Sequence, residues 1–561
     1  MSSGPHPGHL HPPLTTTRRL TRGAVLRAGR TAPYRAVEIG PGEPHLVRTD
    51  LGAPGPGTGD TGTPASGRPL FCLVHITDLQ LADVQSPARF EFLNRYFADP
   101  RYAAIVPVQR PQEALTAHAV DATVRTLNAV RGPASGLAPQ LAVTTGDAID
   151  NAQWNETQAF LALLEGGRVE PGSGGPGYQG VQAPDWPDDI FWRPDGPGPG
   201  GDDYFRRAFG FPHDPGLLER AMGAFAGGGL DMPWLACFGN HEVLNQGVGR
   251  PGPELARALT GGRKPAALPP GFDHDKALAL FTDQPEAFMA GPGREIVPDP
   301  ARRPVSRAEF IEAHFGPAAR PAGHGFSAQN RRDGTAYYVH DVPAARLIAL
   351  DTTCQAGGAA GCLGTGQARW LEDRLAEVHS AYAGRSGEQV RTSHDDRLVI
   401  LFSHHGLDTL TGTRHPGPDG KPLVGRGDLL ALLHRFGNVV LWLNGHTHIN
   451  AIRPRPAPGA GRGFWEVTTC AVADWPCQTR LVELIDHGGH LSIVCTMADH
   501  DAPLVPAETA SVDGLASLHR ELAANVPQRG AHHVSGTGLA QDRNTDLRLS
   551  PPFELSRLPS G

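Results

Sequence analysis

The sequence lacks long apolar runs. None of its hydrophobic stretches reaches the roughly 18 residues that a membrane-spanning helix needs. No apolar segment follows the Arg18-Arg19 pair, although a twin-arginine export signal would require one. We therefore expect a protein without membrane spans, and we expect it to be cytoplasmic.

Excess positive charge is also absent. The chain has 50 Lys and Arg residues against 58 Asp and Glu residues, which gives a formal net charge of −8 at pH 7. Such a chain has no basic field to attract a nucleic-acid backbone over long range. This balance disfavours nucleic acid as a partner and is compatible with a small phosphorylated substrate.

Cysteine is sparse, with seven residues in a chain of 561. An odd number at low density does not indicate a disulfide framework. Cys354 and Cys362 are close enough in sequence to form a bridge, and so are Cys470 and Cys477. A reducing cytoplasm nevertheless favours free thiols.

Glycine and proline are abundant instead, with 70 and 53 residues, so much of the chain should be loop. We predict an irregular N-terminal arm over residues 1–67 and a main domain over residues 68–500. Segments 166–231 and 247–336 are dense in Gly and Pro and are predicted to be insertions, which often border active sites. Residues 501–561 are predicted to form a C-terminal helix and tail.

Short apolar runs with strand character recur through the main domain. They cover residues 70–76, 141–145, 234–238, 347–350, 398–402 and 439–443. Continuous runs of this length are typical of strands that are covered on both faces. Between them, apolar residues at helical spacing, such as Val120, Val124 and Leu127, predict helices. This alternation indicates an α/β fold.

Polar side chains follow five of these runs. The blocks are Thr77-Asp78-Leu79-Gln80, Gly146-Asp147, Gly239-Asn240-His241-Glu242, Ser403-His404-His405-Gly406 and Asn444-Gly445-His446-Thr447-His448. Because the carboxyl ends of strands in an open α/β sheet face a common crevice, these side chains can converge. Carboxylate and imidazole together suit Zn²⁺, Mn²⁺, Fe or Co better than Ca²⁺ or Mg²⁺. The sequence therefore predicts a metal site.

In this order, the blocks resemble the calcineurin-like metallophosphoesterase superfamily, whose pattern reads D-x-H, G-D, G-N-H-[DE], H and G-H-x-H. The resemblance covers about residues 69–486, and Asp78-Leu79-Gln80 resembles a bacterial branch with D-L-Q in place of D-x-H. Each block alone is a weak signal, but five in order are specific. The resemblance implies a four-layer α/β/β/α sandwich of two mixed β-sheets flanked by helices, with long loop insertions.

The resemblance also implies two divalent ions, whether Mn, Zn, Fe or Co. The implied ligands are Asp78 and His448 for the first ion, Asn240, His404 and His446 for the second, and Asp147 as the bridge between them. A metal-bridging hydroxide would attack phosphorus. His241 would protonate the leaving oxygen as the general acid.

Gln80 departs from the family pattern, because it stands where the family usually has a histidine. Its neutral amide oxygen is a weaker ligand than an imidazole nitrogen. Gln80 would ligate through that oxygen, hold a metal-bound water, or leave the position open for a harder metal. We favour two metal ions over one, because Asp78, Asp147 and His448 are all present.

Three further residues are expected near the ligands. Glu242 is expected to orient His241. His405 is expected to lie behind the ligands or to face the substrate, because the side chains of adjacent residues diverge. Arg89 is likewise expected to lie behind the ligands or to face the substrate. It is read as a solvated loop charge, and it is the first residue to test for contact with a phosphate.

The resemblance thus implies a dinuclear, metal-dependent phosphoric ester hydrolase, either a phosphodiesterase or a phosphatase. Because of Gln80, a catalytically weak or silent metal-binding scaffold stays open as an alternative. A nuclease is a further alternative, which the acidic balance disfavours.

Overall fold

The computed structural model describes residues 13–52, 59, 61, 67–198, 200–414, 420–459, 462–506, 509–527 and 536–559. The strands there are β1 Arg18–Arg27, β2 Tyr34–Pro41, β3 Leu46–Arg48, β4 Arg68–Ile76, β5 Leu141–Thr144, β6 Gly167–Val169, β7 Phe225–Gly227, β8 Trp234–Leu235, β9 Arg263–Pro265, β10 Gly293–Glu295, β11 Tyr338–Asp341, β12 Ala345–Ala349, β13 Ala381–Ala383, β14 Gln389–Arg391, β15 Leu398–Phe402, β16 Val439–Asn444, β17 Ala451–Pro456, β18 Gly463–Thr468, β19 Gln478–Asp486, β20 Leu491–Asp499 and β21 Thr545–Leu549. The α-helices there are α1 Thr116–Ala129, α2 Trp154–Glu165, α3 Tyr204–Phe209, α4 Leu217–Ala221, α5 Pro253–Leu259, α6 Ala277–Asp283, α7 Arg307–Ala313, α8 Ala328–Asp333, α9 Thr365–Ala376, α10 Arg426–His434 and α11 Val512–Asn525.

Two large mixed sheets form the framework. The first has seven strands in the order β3-β21-β20-β19-β4-β5-β8, and the second has six in the order β11-β12-β15-β16-β18-β17. Strands β4, β5 and β8 run parallel in the first sheet, and β12, β15, β16 and β18 run parallel in the second. The predicted apolar runs coincide with parallel strands of the two sheets, β4, β5, β8, β12, β15 and β16, and the burial of these strands confirms the covered-strand interpretation.

The two sheets share one apolar core. Val74 and Leu481 from the first sheet belong to the same buried cluster as Ile400 and Leu441 from the second. Side chains alternate across a strand, so β15 places Ile400 in this core and turns Leu401 to the other face, where α9 and α10 cover it. Helices α1 and α2 join the core at the first sheet. The predicted sandwich of two mixed sheets flanked by helices is confirmed.

The N-terminal segment differs from the irregular arm that we predicted over residues 1–67. Within its described residues, β1 and β2 form an antiparallel ribbon and β3 lies parallel to β21 in the seven-stranded sheet. The ribbon is held by α11, since Leu20 and Val37 pack against Ala524 and the backbone N–H of Arg35 donates to Asn525 (2.8 Å). These contacts come from distant sequence, so local composition does not reveal them.

The predicted C-terminal helix is α11, and the tail after it contributes β21 to the first sheet. The two predicted insertion segments are ordered into short elements: 166–231 contains β6, α3, α4 and β7, and 247–336 contains α5 to α8 with β9 and β10. The seven cysteines all lie in the described ranges, where each is buried and outside any disulfide bond. No helix in the described part of the chain is long and apolar enough to cross a bilayer.

Candidate metal centre

The polar blocks lie where the central strands end, and their loops interlock. The backbone N–H of Asp78 donates to the Gly146 carbonyl (3.1 Å), and the N–H of Gly445 donates to the His404 carbonyl (3.0 Å). The His404 ring bonds through Nδ1 to the Thr145 carbonyl (2.8 Å). Parallel strands bring these loops to one end of the sandwich, so the predicted convergence takes place.

Carboxylate and imidazole groups meet at this end. Asp78, Asp147 and His404 can each offer a ligand atom within 4.8 Å of the others. His404 Nε2 lies 3.0 Å from Asp147 Oδ2, and His448 Nε2 lies 3.3 Å from Asp78 Oδ1. His446 Nδ1 lies 3.2 Å from His404 Nε2. This donor set fits a divalent transition metal.

The two amide side chains of the site each leave an oxygen without a partner. Asn240 donates from Nδ2 to the Gly247 carbonyl (3.0 Å), and Gln80 Nε2 lies 3.3 Å from His448 Nε2. Asn240 Oδ1 and Gln80 Oε1 are buried and accept no hydrogen bond from the described residues. A buried acceptor without a partner costs about 1–3 kcal/mol. Bound cations would satisfy these oxygens, so the residues present fit a metal centre.

Several site residues have left-handed backbone conformations. Their φ angles are 51° at Asp78, 43° at Gln80, 51° at Asp147, 70° at His446 and 59° at His448. Such a conformation costs roughly 1–3 kcal/mol for a residue other than glycine and persists only where the surroundings impose it. This concentration of strain in the motif loops is typical of a functional site.

Gly445 allows two of these loops to touch. A Cβ atom at Gly445 would lie 2.0 Å from Thr77 Oγ1 and 2.4 Å from Asp78 Oδ2. The backbone N–H of His446 reaches Asp78 Oδ2 at 3.1 Å across this gap. Only glycine permits this approach, which explains the small residue before His446.

His241 lies beside the carboxylate cluster. Its Nε2 is 3.8 Å from Asp147 Oδ2, and its Nδ1 is 2.8 Å from the Asp150 carbonyl. Arg89 Nε donates to Asp150 Oδ2 (3.0 Å) and holds that residue in place. Burial lowers the pKa of His241, but Asp147 and Asp150 outweigh this and raise the pKa to about 9. The ring is therefore suited to carry a proton.

His448 has a different support. Its Nδ1 bonds to Asp474 Oδ2 (2.6 Å), and Arg110 Nε lies 2.8 Å from Asp474 Oδ1. Burial lowers the pKa of His448, but Asp78 and Asp474 raise it to about 10. Burial raises the pKa of Asp474, yet Arg110 and His448 hold it below the usual range. The carboxylate fixes the orientation of the ring, so Nε2 points towards Asp78.

Glu242 does not contact the His241 ring through any hydrogen bond of the described residues. Its carboxylate instead accepts from the backbone N–H groups of Asp147 (2.8 Å), Ala148 (2.7 Å) and Gly239 (2.5 Å). Burial raises the pKa of Glu242, as does Asp147, to about 7. The residue ties the Asp147 loop to the Asn240 loop, so it orients His241 only through the backbone.

His405 and Arg89 both lie away from solvent. His405 is fully buried, with Nδ1 2.9 Å from Thr352 Oγ1 and Nε2 3.0 Å from the Ala359 carbonyl. Its ring can still offer an atom to a group with His404 and His446. Arg89 is also fully buried and binds Glu113 (2.6 Å) as well as Asp150. The expectation of a solvated loop charge at Arg89 is wrong, because three carboxylates nearby stabilise the buried cation.

Asp474, Arg110 and Asp150 complete the surroundings of the site. None of the three is among the residues that the sequence motifs led us to expect at the site. Asp150 is the third residue after Asp147, so its proximity to the motif was a usable signal. Asp474 and Arg110 lie on loops without a recognisable motif, and only the folded chain brings them to His448.

Sequence comparisons with known proteins find no significant match. No protein-family model matches the chain, and no curated protein matches its sequence significantly. Among solved structures, the chain is similar to a dimetal phosphatase from Danio rerio, at 11% identity and a TM-score of 0.30. The match covers 77% of this chain and 99% of the other. The site assignment therefore depends on the geometry described above.

Proposed function

We propose that this chain is a metal-dependent phosphoric ester hydrolase with two metal ions. The observation that carries the proposal is the convergence of Asp78, Asp147 and His404, whose ligand atoms lie within 4.8 Å of one another. The buried oxygens Gln80 Oε1 and Asn240 Oδ1 have no hydrogen-bond partner among the described residues. Other buried amides, such as that of Gln112, share this property, so the two oxygens support the proposal only together with the carboxylate and imidazole cluster.

The proposed ligands divide into two sets with one shared residue. Asp78, Gln80 and His448 would hold the first ion, Asn240, His404 and His446 would hold the second, and Asp147 would serve both. When bound, two divalent ions polarise phosphoryl oxygens and make hydroxide available from water near neutral pH. The identity of the metal among Mn, Zn, Fe and Co is left to measurement.

His241 is the proposed proton donor to the leaving oxygen. The Asp150 carbonyl accepts from Nδ1, which leaves Nε2 on the side of Asp147. Asp147 and Asp150 both favour the protonated ring. The side chain is 15% exposed, whereas that of Asp147 is 2% exposed, so His241 is accessible to an arriving ester.

The proposed substrate is a small phosphomonoester or phosphodiester. The net charge of −8 offers no general attraction to a polyanion, which disfavours a nuclease. We keep the cytoplasm as the predicted location.

The test is hydrolysis of p-nitrophenyl phosphate and bis-p-nitrophenyl phosphate by protein loaded with Mn²⁺, Zn²⁺, Co²⁺ or Mg²⁺. Wild type should turn over at least one of the two esters, and Asp147→Ala should lose roughly 100-fold or more. Asp121→Asn is a matched control, because Asp121 is a buried carboxylate paired with Arg125 on α1. Its turnover should stay near wild type.

Two outcomes would contradict the proposal. Turnover that is unchanged in folded Asp147→Ala would remove that residue from the mechanism. Wild type that binds two ions and hydrolyses neither ester would favour the metal-binding scaffold.

A further inference from the structure

The ring of His448 bonds directly to a carboxylate that an arginine holds. Asp474 Oδ2 lies 2.6 Å from His448 Nδ1, and Arg110 lies on the other carboxylate oxygen at 2.8 Å. Asp474 is only 5% exposed. By contrast, the His404 ring bonds through Nδ1 to a neutral backbone carbonyl.

The segment that carries Asp474 is attached to the first motif. The backbone N–H of Ala473 reaches the Asp78 carbonyl at 3.3 Å, and the N–H of Cys477 donates to the Asp474 carbonyl at 2.7 Å. Gln112 Nε2 donates to the Ala473 carbonyl (3.0 Å) from the same loop as Arg110. Asp474 is thereby fixed relative to both Asp78 and His448.

Gln80 approaches the same ring, with Nε2 3.3 Å from His448 Nε2. Its buried Oε1 accepts no hydrogen bond from the part of the chain that the structure describes. An amide oxygen is a weaker donor to a transition metal than an imidazole nitrogen. A carboxylate on the far nitrogen of a ligating histidine fixes the ring and raises its basicity. At the first metal site, Gln80 would therefore lower the affinity for the metal, and the carboxylate behind His448 would raise it.

We propose that Asp474 and Arg110 are positioning residues that sustain the first metal site through His448 and offset the weaker ligand at Gln80. The inference depends on the proposed two-metal centre and deepens it. Arg110 stabilises the buried carboxylate, Asp474 holds the His448 ring with Nε2 towards Asp78, and the second site does not depend on either residue.

The experiment measures metal binding rather than turnover. Wild type, Asp474→Asn, Gln80→His and the double variant are titrated with Mn²⁺ and, separately, with Zn²⁺ by equilibrium dialysis, and bound metal is counted by mass spectrometry. Electron paramagnetic resonance separates coupled Mn²⁺ pairs from isolated ions. Asp474→Asn should weaken one site of the two by about 10–100-fold and lose the coupled signal at limiting Mn²⁺.

Rescue is the decisive comparison. Gln80→His in the Asp474→Asn background should restore most of the lost affinity for Zn²⁺, because Zn²⁺ prefers an imidazole nitrogen to an amide oxygen. Asp121→Asn, the control with a buried carboxylate paired to an arginine, should bind two ions as wild type does. Unchanged binding by Asp474→Asn, or a double variant no better than Asp474→Asn, would overturn the inference.

A second variant covers the case in which Asp474→Asn fails to fold. Arg110→Gln keeps the carboxylate and removes its cation, and it should weaken the same site by a smaller factor. Wild-type affinity in folded Arg110→Gln would overturn the inference.

The results also separate this inference from the proposed function. Wild type that binds two ions without hydrolysing either ester would contradict the hydrolase, while the Mn²⁺ titrations would still decide the role of Asp474. Wild type that binds one ion would overturn both.

Discussion

Two histidines of the site, His241 and His448, have parallel but unequal surroundings. Each is partly exposed, at 15% and 18% of the side chain, and each is backed by an aspartate that a buried or half-buried arginine holds. For His448 the carboxylate bonds directly to Nδ1 at 2.6 Å. For His241 the closest acceptor is the Asp150 carbonyl at 2.8 Å, while the Asp150 carboxylate lies 3.4 Å away.

The different acceptors at Nδ1 suit the two histidines to different proposed roles. A direct bond to a carboxylate fixes the His448 ring and raises its basicity, which suits the proposed role of a metal ligand. Asp150 also holds an arginine, Arg89, but it gives His241 mainly a neutral acceptor, its backbone carbonyl. Such a ring is oriented and can still release a proton, which suits the proposed role of a general acid. Under the proposed function, similar pairs of aspartate and arginine would thus support a ligand at His448 and a proton donor at His241.

The largest effect should follow from removal of the proposed proton donor, His241. We expect His241→Ala to lower kcat by roughly 100- to 10,000-fold, because no other group then protonates the leaving oxygen. Metal content should stay at the wild-type value, as measured by mass spectrometry on the purified variant. A variant that loses metal would instead make His241 a ligand and erase the contrast with His448.

A smaller effect is expected from Asp150→Asn. The Asp150 carbonyl that accepts from His241 Nδ1 remains, so the ring keeps its orientation, but one of the two charges that favour its protonation is lost. We expect kcat to fall about 10-fold, at the lower end of general acid effects, with unchanged Mn²⁺ affinity. Asp474→Asn is the matched variant, and equal losses of metal in both would show that the two aspartates do the same task.

The smallest effect is expected at His405. Both of its ring nitrogens already lie near protein groups, Thr352 Oγ1 and the Ala359 carbonyl. We therefore expect His405→Gln to retain two metal ions and to change kcat less than threefold, about 0.7 kcal/mol. Loss of one bound ion would assign His405 to the ligand group that it can form with His404 and His446.

The strands around the site were predictable because they are buried on both faces, as the uninterrupted run of β15 shows. Strand β19 could not be found in this way, although all of its residues are buried. It carries Arg480, which breaks the apolar pattern and is satisfied by Thr469 Oγ1 (3.0 Å) and Asn450 Oδ1 (2.9 Å). A buried cation with distant partners looks like an exposed loop charge in the sequence.

The residues of the site also divide into those that the sequence predicts and those that only the folded chain reveals. The resemblance named its candidate ligands because each follows a strand in a short motif, and the structure brings Asp78, Asp147 and His404 together. Asp474 and Arg110 have no such signal, since their role depends on a contact between segments more than 350 residues apart. The roles of all these residues stay predictions until metal binding and turnover are measured.

The neighbouring positions of β3 and β21 in the seven-stranded sheet have a consequence for biosynthesis. Leu46 is aligned with Thr545, and Asp486 at the end of β19 is aligned with Arg68. Contacts between such remote segments make folding slow. Residues up to the end of β21 must be translated before the seven-stranded sheet can be completed, and until then its unpaired edges are exposed to aggregation. Shortening the chain beyond β21 should therefore be tolerated better than any cut that removes this strand.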